Sequence, residues 1–339
     1  MKLQQWIETN DYISKFKKYN VQFRKYPDLD LMIIKRKYGS KYSEKKFWLN
    51  YCRGLVLNYK TNKIVFIPPS KSKEYLTYDK LIELSNSPEP LVDGTMINLF
   101  YHNNEWLTST RSNIGATNKW SSDDCFQEMF KECSDNLDYS TLDKEYTYSF
   151  VMRHMNNRLT SKVHKNELVL VEVYHNGVNQ PCLPTNKGYI TINDWIPDEL
   201  YKGLTVKQKN IRYKWLTNEH KFIEMIKPNT NNPCLNYLIL RNSGNLTEYI
   251  KYFPEQRFRF NNYREKLHNL TKLIYQVYVG VFIKKTFEKE NIPFYLRPLI
   301  YEIHGEYIKT KQGISWDYIK NYIYELDPRR LYFVMNNLK

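Results

Sequence analysis

Leu91-Val92-Asp93-Gly94-Thr95-Met96-Ile97-Asn98 opens a β-rich run that continues through Leu99-Phe100-Tyr101-His102, meets Asn103-Asn104, and returns as Glu105-Trp106-Leu107-Thr108-Ser109-Thr110-Arg111-Ser112. Asn tolerates the positive φ that a tight hairpin needs, so HNNEW reads as a turn between two antiparallel strands. Asp93-Gly94 then stands at a strand start, where an ordinary turn is the plain reading.

Outward from this hairpin the same texture holds from about residue 30 to 220. LMIIKRKY, RGLVLNYK, NKIVFIPP, YTYSFVM, ELVLVEVYHNG and GLTVKQKNIRYKWL are short β-rich runs broken by turns, NYKTNK among them, which argues for antiparallel sheet. CFQEMFKECSDNL and TYDKLIELS are the helix candidates in this part. After Pro228-Asn229-Thr230-Asn231-Asn232-Pro233 apolar residues recur three and four apart in CLNYLILRN, LTEYIKYF, FNNYREKLHNLTKLIYQVYVGVFIKK, LRPLIYEIHGEYIKT and SWDYIKNYIYEL. The expectation is an α+β chain: an antiparallel-sheet domain over 1–227 and an all-helical domain over 228–339.

The 339 residues are 42% apolar and 16% aromatic, with thirty tyrosines, a composition that buries real cores and excludes disorder. Net charge is +15, which favours polyanions as partners and makes their binding salt-dependent. The helical part shares the excess, with 17 Lys plus Arg against 10 Asp plus Glu. An inert basic surface is the competing reading. Cys52, Cys125, Cys133, Cys182 and Cys234 contain no CxxC pair, so neither a zinc knuckle nor a disulfide scaffold is indicated, and a reducing compartment fits. No apolar run reaches membrane-spanning length, and none of the seven histidines shows ligand spacing. Walker, Rossmann and Ser-His-Asp patterns are missing from the sequence, which removes support for NTPases, dehydrogenases and hydrolases.

The order of several motifs resembles the covalent nucleotidyltransferases, in particular RNA ligases of the phage tRNA-repair type and their ligase-like relatives in nucleocytoplasmic large DNA viruses. Leu91-Val92-Asp93-Gly94-Thr95 resembles the KxDG motif, Cys52-Arg53-Gly54-Leu55-Val56-Leu57 the upstream RG strand, and Ser149-Phe150-Val151-Met152-Arg153-His154-Met155-Asn156-Asn157-Arg158 the FE…NR segment. Tyr201-Lys202-Gly203-Leu204-Thr205-Val206 resembles the EG strand and Arg212-Tyr213-Lys214-Trp215-Leu216 the KxK strand; the PPSKS segment and the helical part, with LRNSGNLTEYIKYFPEQRFRFNNYREKLHNLT, resemble the viral proteins. The resemblance covers roughly residues 30 to 339. It implies an antiparallel-sheet nucleotidyltransferase fold of the ATP-grasp-like ligase kind, followed by the helical domain.

In that family a lysine attacks the α-phosphate of a nucleotide, and only a neutral amine can do so. Here Leu91 stands at the lysine position, Val151 where a glutamate is usual, and Lys202 where a metal-organising glutamate is usual, while only Lys214 remains of the lysine pair. An ammonium at 202 takes the place of an oxygen ligand, so no metal is expected there. The resemblance thus implies a pseudoenzyme: no catalytic residue, and a relic nucleotide pocket of Arg53, Asp93, Gly94, Thr95, Arg111, Asn157, Arg158, Lys202 and Lys214. Arg111 and Arg158 read equally well as solvated or salt-bridged residues. Lys207, Lys209 and Arg212 extend a basic run on the strands suited to a nucleic-acid backbone, and Glu172 reads as a paired core carboxylate.

The functional expectation is an inactive RNA-ligase-like protein that binds RNA or DNA within a viral transcription, RNA-processing or virion complex, in the host cytoplasm or the virion. No cofactor is expected, and ATP with Mg only if activity persists. The alternatives are a structural or protein-interaction subunit with incidental charge, and an active ligase with a displaced lysine such as Lys202.

Overall fold

A computed structural model describes residues 2–338 except 38–45, 76, 85, 86, 121, 136, 182, 184, 186, 187, 198–200, 209 and 210. The chain forms two compact units, Met1–Lys221 and Phe222–Lys339.

The first unit opens with helices α1 (Lys2–Thr9) and α2 (Tyr12–Lys17), then strands β1 (Val21–Tyr26), β2 (Leu31–Arg36), β3 (Arg53–Asn58) and β4 (Lys63–Phe66). These four strands make an antiparallel meander in sequence order. The sequence reading started its strands at residue 31 and passed over β1 and both helices. α1 and α2 lay Leu3, Ile7, Tyr12 and Phe16 into a core with Met32, Ile34, Trp48, Leu55 and Leu57. Both helices are too short to be stable alone, so this packing holds them.

Next come β5 (Lys73–Glu74), α3 (Tyr78–Ile82), β6 (Glu89–Pro90), β7 (Thr95–His102), β8 (Glu105–Ser109), α4 (Phe126–Cys133), β9 (Tyr146–Arg153), β10 (Glu167–His175), β11 (Val178–Gln180), β12 (Ile190–Thr191), β13 (Gly203–Gln208) and β14 (Ile211–Leu216). The β7–β8 hairpin pairs Tyr101 with Trp106 and His102 with Glu105. Asn103 and Asn104 adopt φ of 48° and 64° in its turn, as the sequence requires. A second sheet runs β11-β10-β9-β7-β8, with β12 parallel to β10; a third runs β5-β14-β13-β6, with β5 parallel to β14. All other pairings are antiparallel, which bears out the α+β reading.

The second sheet is covered on both faces. Leu168, Leu170, Phe150 and Ile97 pack against Phe126, Met129 and Phe130 of α4, while Val169, Val171 and Val151 face Val92, Ile192 and Trp195. Phe66 of β4 and Phe100 of β7 stack at 5.6 Å and join the first sheet to the second. Full burial of each such ring stabilises by about 1.5–3 kcal/mol.

The second unit is helical, as its periodicity predicts: α5 (Asn218–Ile226), which spans the division between units, then α6 (Pro233–Asn242), α7 (Leu246–Tyr252), α8 (Arg257–Tyr278), α9 (Arg297–Thr310), α10 (Trp316–Glu325) and α11 (Pro328–Asn336). Asn232, Ser315 and Asp327 cap α6, α10 and α11 through their side chains. The sequence reading did not include α11; Pro328 is its first residue, where its missing N–H costs nothing. α8 passes into a π-turn over Val279–Ile283. Among the described residues no helix is long and apolar enough to cross a membrane, and Cys52, Cys125, Cys133 and Cys234 are free thiols.

Candidate phosphate-binding cavity

The Asp93-Gly94 step sits where β6, β7 and β13 meet. Leu91 N donates to Gly203 O at 2.8 Å, and β6 pairs Pro90 with Leu204. The stretch resembling the KxDG motif is therefore bonded to the one resembling the EG strand, although more than a hundred residues separate them. Both glycines are required by the space they occupy. A Cβ on Gly94 meets Met152 O at 2.5 Å and Val151 Cγ1 at 2.7 Å, and one on Gly203, at φ +151°, meets Trp215 O at 2.0 Å.

Behind Gly94, Asp93 is 6% exposed. Its Oδ2 accepts from Thr160 N and Ser161 N at 2.8 and 2.9 Å, and its Oδ1 accepts from Lys202 Nζ at 3.1 Å. Burial pushes the Asp93 carboxyl up, but the Lys202 ammonium and the Ser161 N–H outweigh burial and hold it below the usual carboxylate value. Lys202 thus forms an ion pair with the aspartate of its neighbouring motif.

In front of Gly94 a cavity of about 640 Å³ opens between the second and third sheets, with Pro68–Ser72 at its side. Leu91, Thr95, Met96, Asn98, Val151 and Val171 line it, together with six cations: Arg53, Lys71, Arg111, Lys202, Arg212 and Lys214. Among the described residues no Asp or Glu lines it. Burial and the like charges of Arg111 and Arg36 lower the Arg53 pKa to about 10. Burial and Arg36 lower that of Arg111, and burial with Arg53, Arg36 and Lys214 lowers that of Lys71. Burial is the largest cause at all three; the like charges add to it, and a bound polyanion offsets that repulsion.

The structure brings Arg53, Gly94, Thr95, Arg111, Lys202 and Lys214 to this cavity and places Asp93 directly beneath it. Asn157 is buried behind the wall, its Nδ2 donating to Thr95 Oγ1 at 2.8 Å. Arg158 turns onto its own loop, Nε and Nη2 both donating to Thr160 O at 3.2 Å. Lys71 and Arg36 were given no role from sequence; the signal for Lys71 was its place in PPSKS, where Pro68-Pro69 fix the chain entering it.

The open basic stripe expected through Lys207 and Arg212 takes another form. Arg212, 8% exposed, donates to Glu172 Oε1 at 2.7 Å and to Thr205 Oγ1 at 3.2 Å, although its side chain also reaches the cavity wall. Lys207 pairs with Glu89 at 3.2 Å and lies 3.9 Å from Glu172, which also accepts from Tyr174 Oη. Glu172 is the paired core carboxylate its apolar strand implied. Lys209 lies outside the described residues.

No family model matches the chain, and no curated protein matches it. Among solved structures it is similar to one described as "Putative ATP-dependent DNA ligase from Aquifex aeolicus", at 14% identity and a TM-score of 0.39, over 88% of this chain and 80% of that one. The cavity's own residues, rather than this likeness, carry the functional reading.

Proposed function

We infer that this chain is a ligase-like protein that has lost nucleotidyl transfer and binds the phosphates of nucleic acid in the cavity between its second and third sheets. The observation that supports this is the lining: six cations and, among the described residues, no carboxylate around a leucine at the position where the resembled family has its nucleophile. An aliphatic side chain cannot form a phosphoramidate, whereas clustered guanidinium and ammonium groups suit phosphate oxygens. Lys202, the candidate for a displaced nucleophile, is committed to Asp93. The setting implied by the sequence resemblance is a viral transcription, RNA-processing or virion complex, with RNA or DNA as the partner.

The test is incubation of the purified protein with radiolabelled ATP or GTP and magnesium or manganese, followed by denaturing electrophoresis, with Leu91→Lys beside the wild type. The expected result is no label on the wild type; label on Leu91→Lys alone shows that the pocket survives and that the lost nucleophile was the missing part. A labelled wild type overturns the loss of transfer. Undetectable binding of polynucleotide at low salt overturns the binding role and leaves a protein-interaction subunit.

A further inference from the structure

The exposed surface of α8 is basic. Over its 22 residues α8 carries Arg257, Arg259, Arg264, Lys266 and Lys272 against Glu265 alone. All five cations are exposed, and among the described residues none forms an ion pair or a hydrogen bond. Three other cations of this unit are engaged: Lys251 pairs with Glu248 and Arg330 with Glu302, both at 2.6 Å, and Arg241 lies 4.3 Å from the centre of the Tyr324 ring.

Helical geometry sets the layout. The buried face of α8 holds Phe260, Leu267, Leu270, Thr271, Ile274 and Val277. Along one flank of it, within about 80° of arc, Arg257, Arg264 and Lys272 follow one another at seven- and eight-residue steps, about 10 and 12 Å along the axis. Asn261 is exposed within the same arc. Phe258, between two arginines, is 77% exposed. A shallow depression of about 490 Å³ at Arg264, Glu265, His268 and Asn269 lies farther along, and the Trp316 ring stands edge-on to His268 at 6.0 Å.

We propose that this face of α8 is a docking surface for an unpaired polynucleotide strand, its phosphates on Arg257, Arg264 and Lys272 and a base stacked on Phe258. Uncompensated cations on a helix about 33 Å long supply the electrostatic term that dominates nucleic-acid affinity. The exposed Phe258 ring beside this stripe supplies the stacking term, which a duplex with its bases already stacked cannot use. The proposal rests on the nucleic-acid reading of the chain and assigns it a surface outside the cavity.

The experiment is fluorescence anisotropy of the full chain with a fluorescein-labelled 20-nucleotide oligouridylate, and with a hairpin duplex, across a series of salt concentrations. Wild type is compared with Arg257→Gln/Arg264→Gln/Lys272→Gln, with Phe258→Ala, and with Arg53→Gln/Lys71→Gln in the cavity. Because the α8 positions are exposed, the variants should melt as the wild type does. Losing three phosphate contacts should lower the slope of log K against log salt by about 2 for a single strand. Phe258→Ala should weaken single-strand binding by about 5- to 100-fold at unchanged slope and leave duplex binding unaltered. If the wild type binds and the α8 triple variant binds equally while the cavity variant fails, α8 is not the surface and the cavity reading stands. If the wild type does not bind even at low salt, the nucleic-acid reading itself falls. Equal loss on duplex and single strand in Phe258→Ala overturns the choice of an unpaired strand.

Discussion

Lys202 Nζ and Asp93 Oδ1, 109 residues apart in sequence, meet at 3.1 Å beneath the cavity. The contact ties the turn before β7 to the turn before β13 and neutralises a carboxylate that is almost wholly buried. Replacing Lys202 by Met takes the ammonium from a buried carboxylate that keeps the Thr160 and Ser161 N–H groups, a loss of about 1–3 kcal/mol in urea unfolding. Asp93→Asn combined with Lys202→Met should cost less than the sum of the two single changes. Strict additivity would remove the ion pair from the account.

The same carboxylate sets an acid limit. Because its folded pKa lies below the ordinary 3.8, the stability it contributes is complete above that value and is lost as pH falls through the lower folded value. Urea unfolding followed from about pH 5 to about pH 2 should therefore decline more steeply for wild type than for Asp93→Asn. Identical slopes would contradict the assignment.

Glu172 and Arg212 form a buried pair at 2.7 Å, with side chains 4% and 9% exposed. Glu172→Ala leaves the guanidinium buried without its partner and should cost about 3–5 kcal/mol. Glu172→Met with Arg212→Met removes both charges and should recover much of that loss. A double variant as unstable as the single one would show that the pair's geometry, rather than its charge balance, holds this region.

Gly94→Ala places a methyl 2.5 Å from Met152 O, so β7 and β9 must separate at the cavity floor. The expected loss is about 1–3 kcal/mol, the usual range for overpacking. A thermal melt unchanged from wild type would mean that the sheet yields freely at this point.

Lys71→Met removes one of several mutually repelling cations. Binding of inorganic tripolyphosphate, followed by calorimetry, should weaken by about tenfold, the worth of one charge-assisted hydrogen bond. Unchanged tripolyphosphate affinity would place the anion site elsewhere.

The features legible in the sequence are those set by neighbouring residues. Asn103-Asn104 specify their turn through the backbone angles asparagine tolerates, Asp327-Pro328 carry a helix start in their own chemistry, and the apolar spacing of α8 follows from 3.6 residues per turn. The loss at Leu91 is likewise readable without coordinates, because no fold gives an alkyl chain a nucleophilic nitrogen. Whether Lys207, Arg212 and Lys202 face solvent or a carboxylate is a different kind of question. It depends on which strand lies beside which, and β13 meets β6, and Glu172 meets Arg212, only through sheet register accumulated over long loops. Charge density belongs to the sequence; whether a charge is spent internally, as at Lys202, or left exposed, as along α8, is decided by tertiary packing, because Coulomb energy depends on separations and burial that no local pattern encodes.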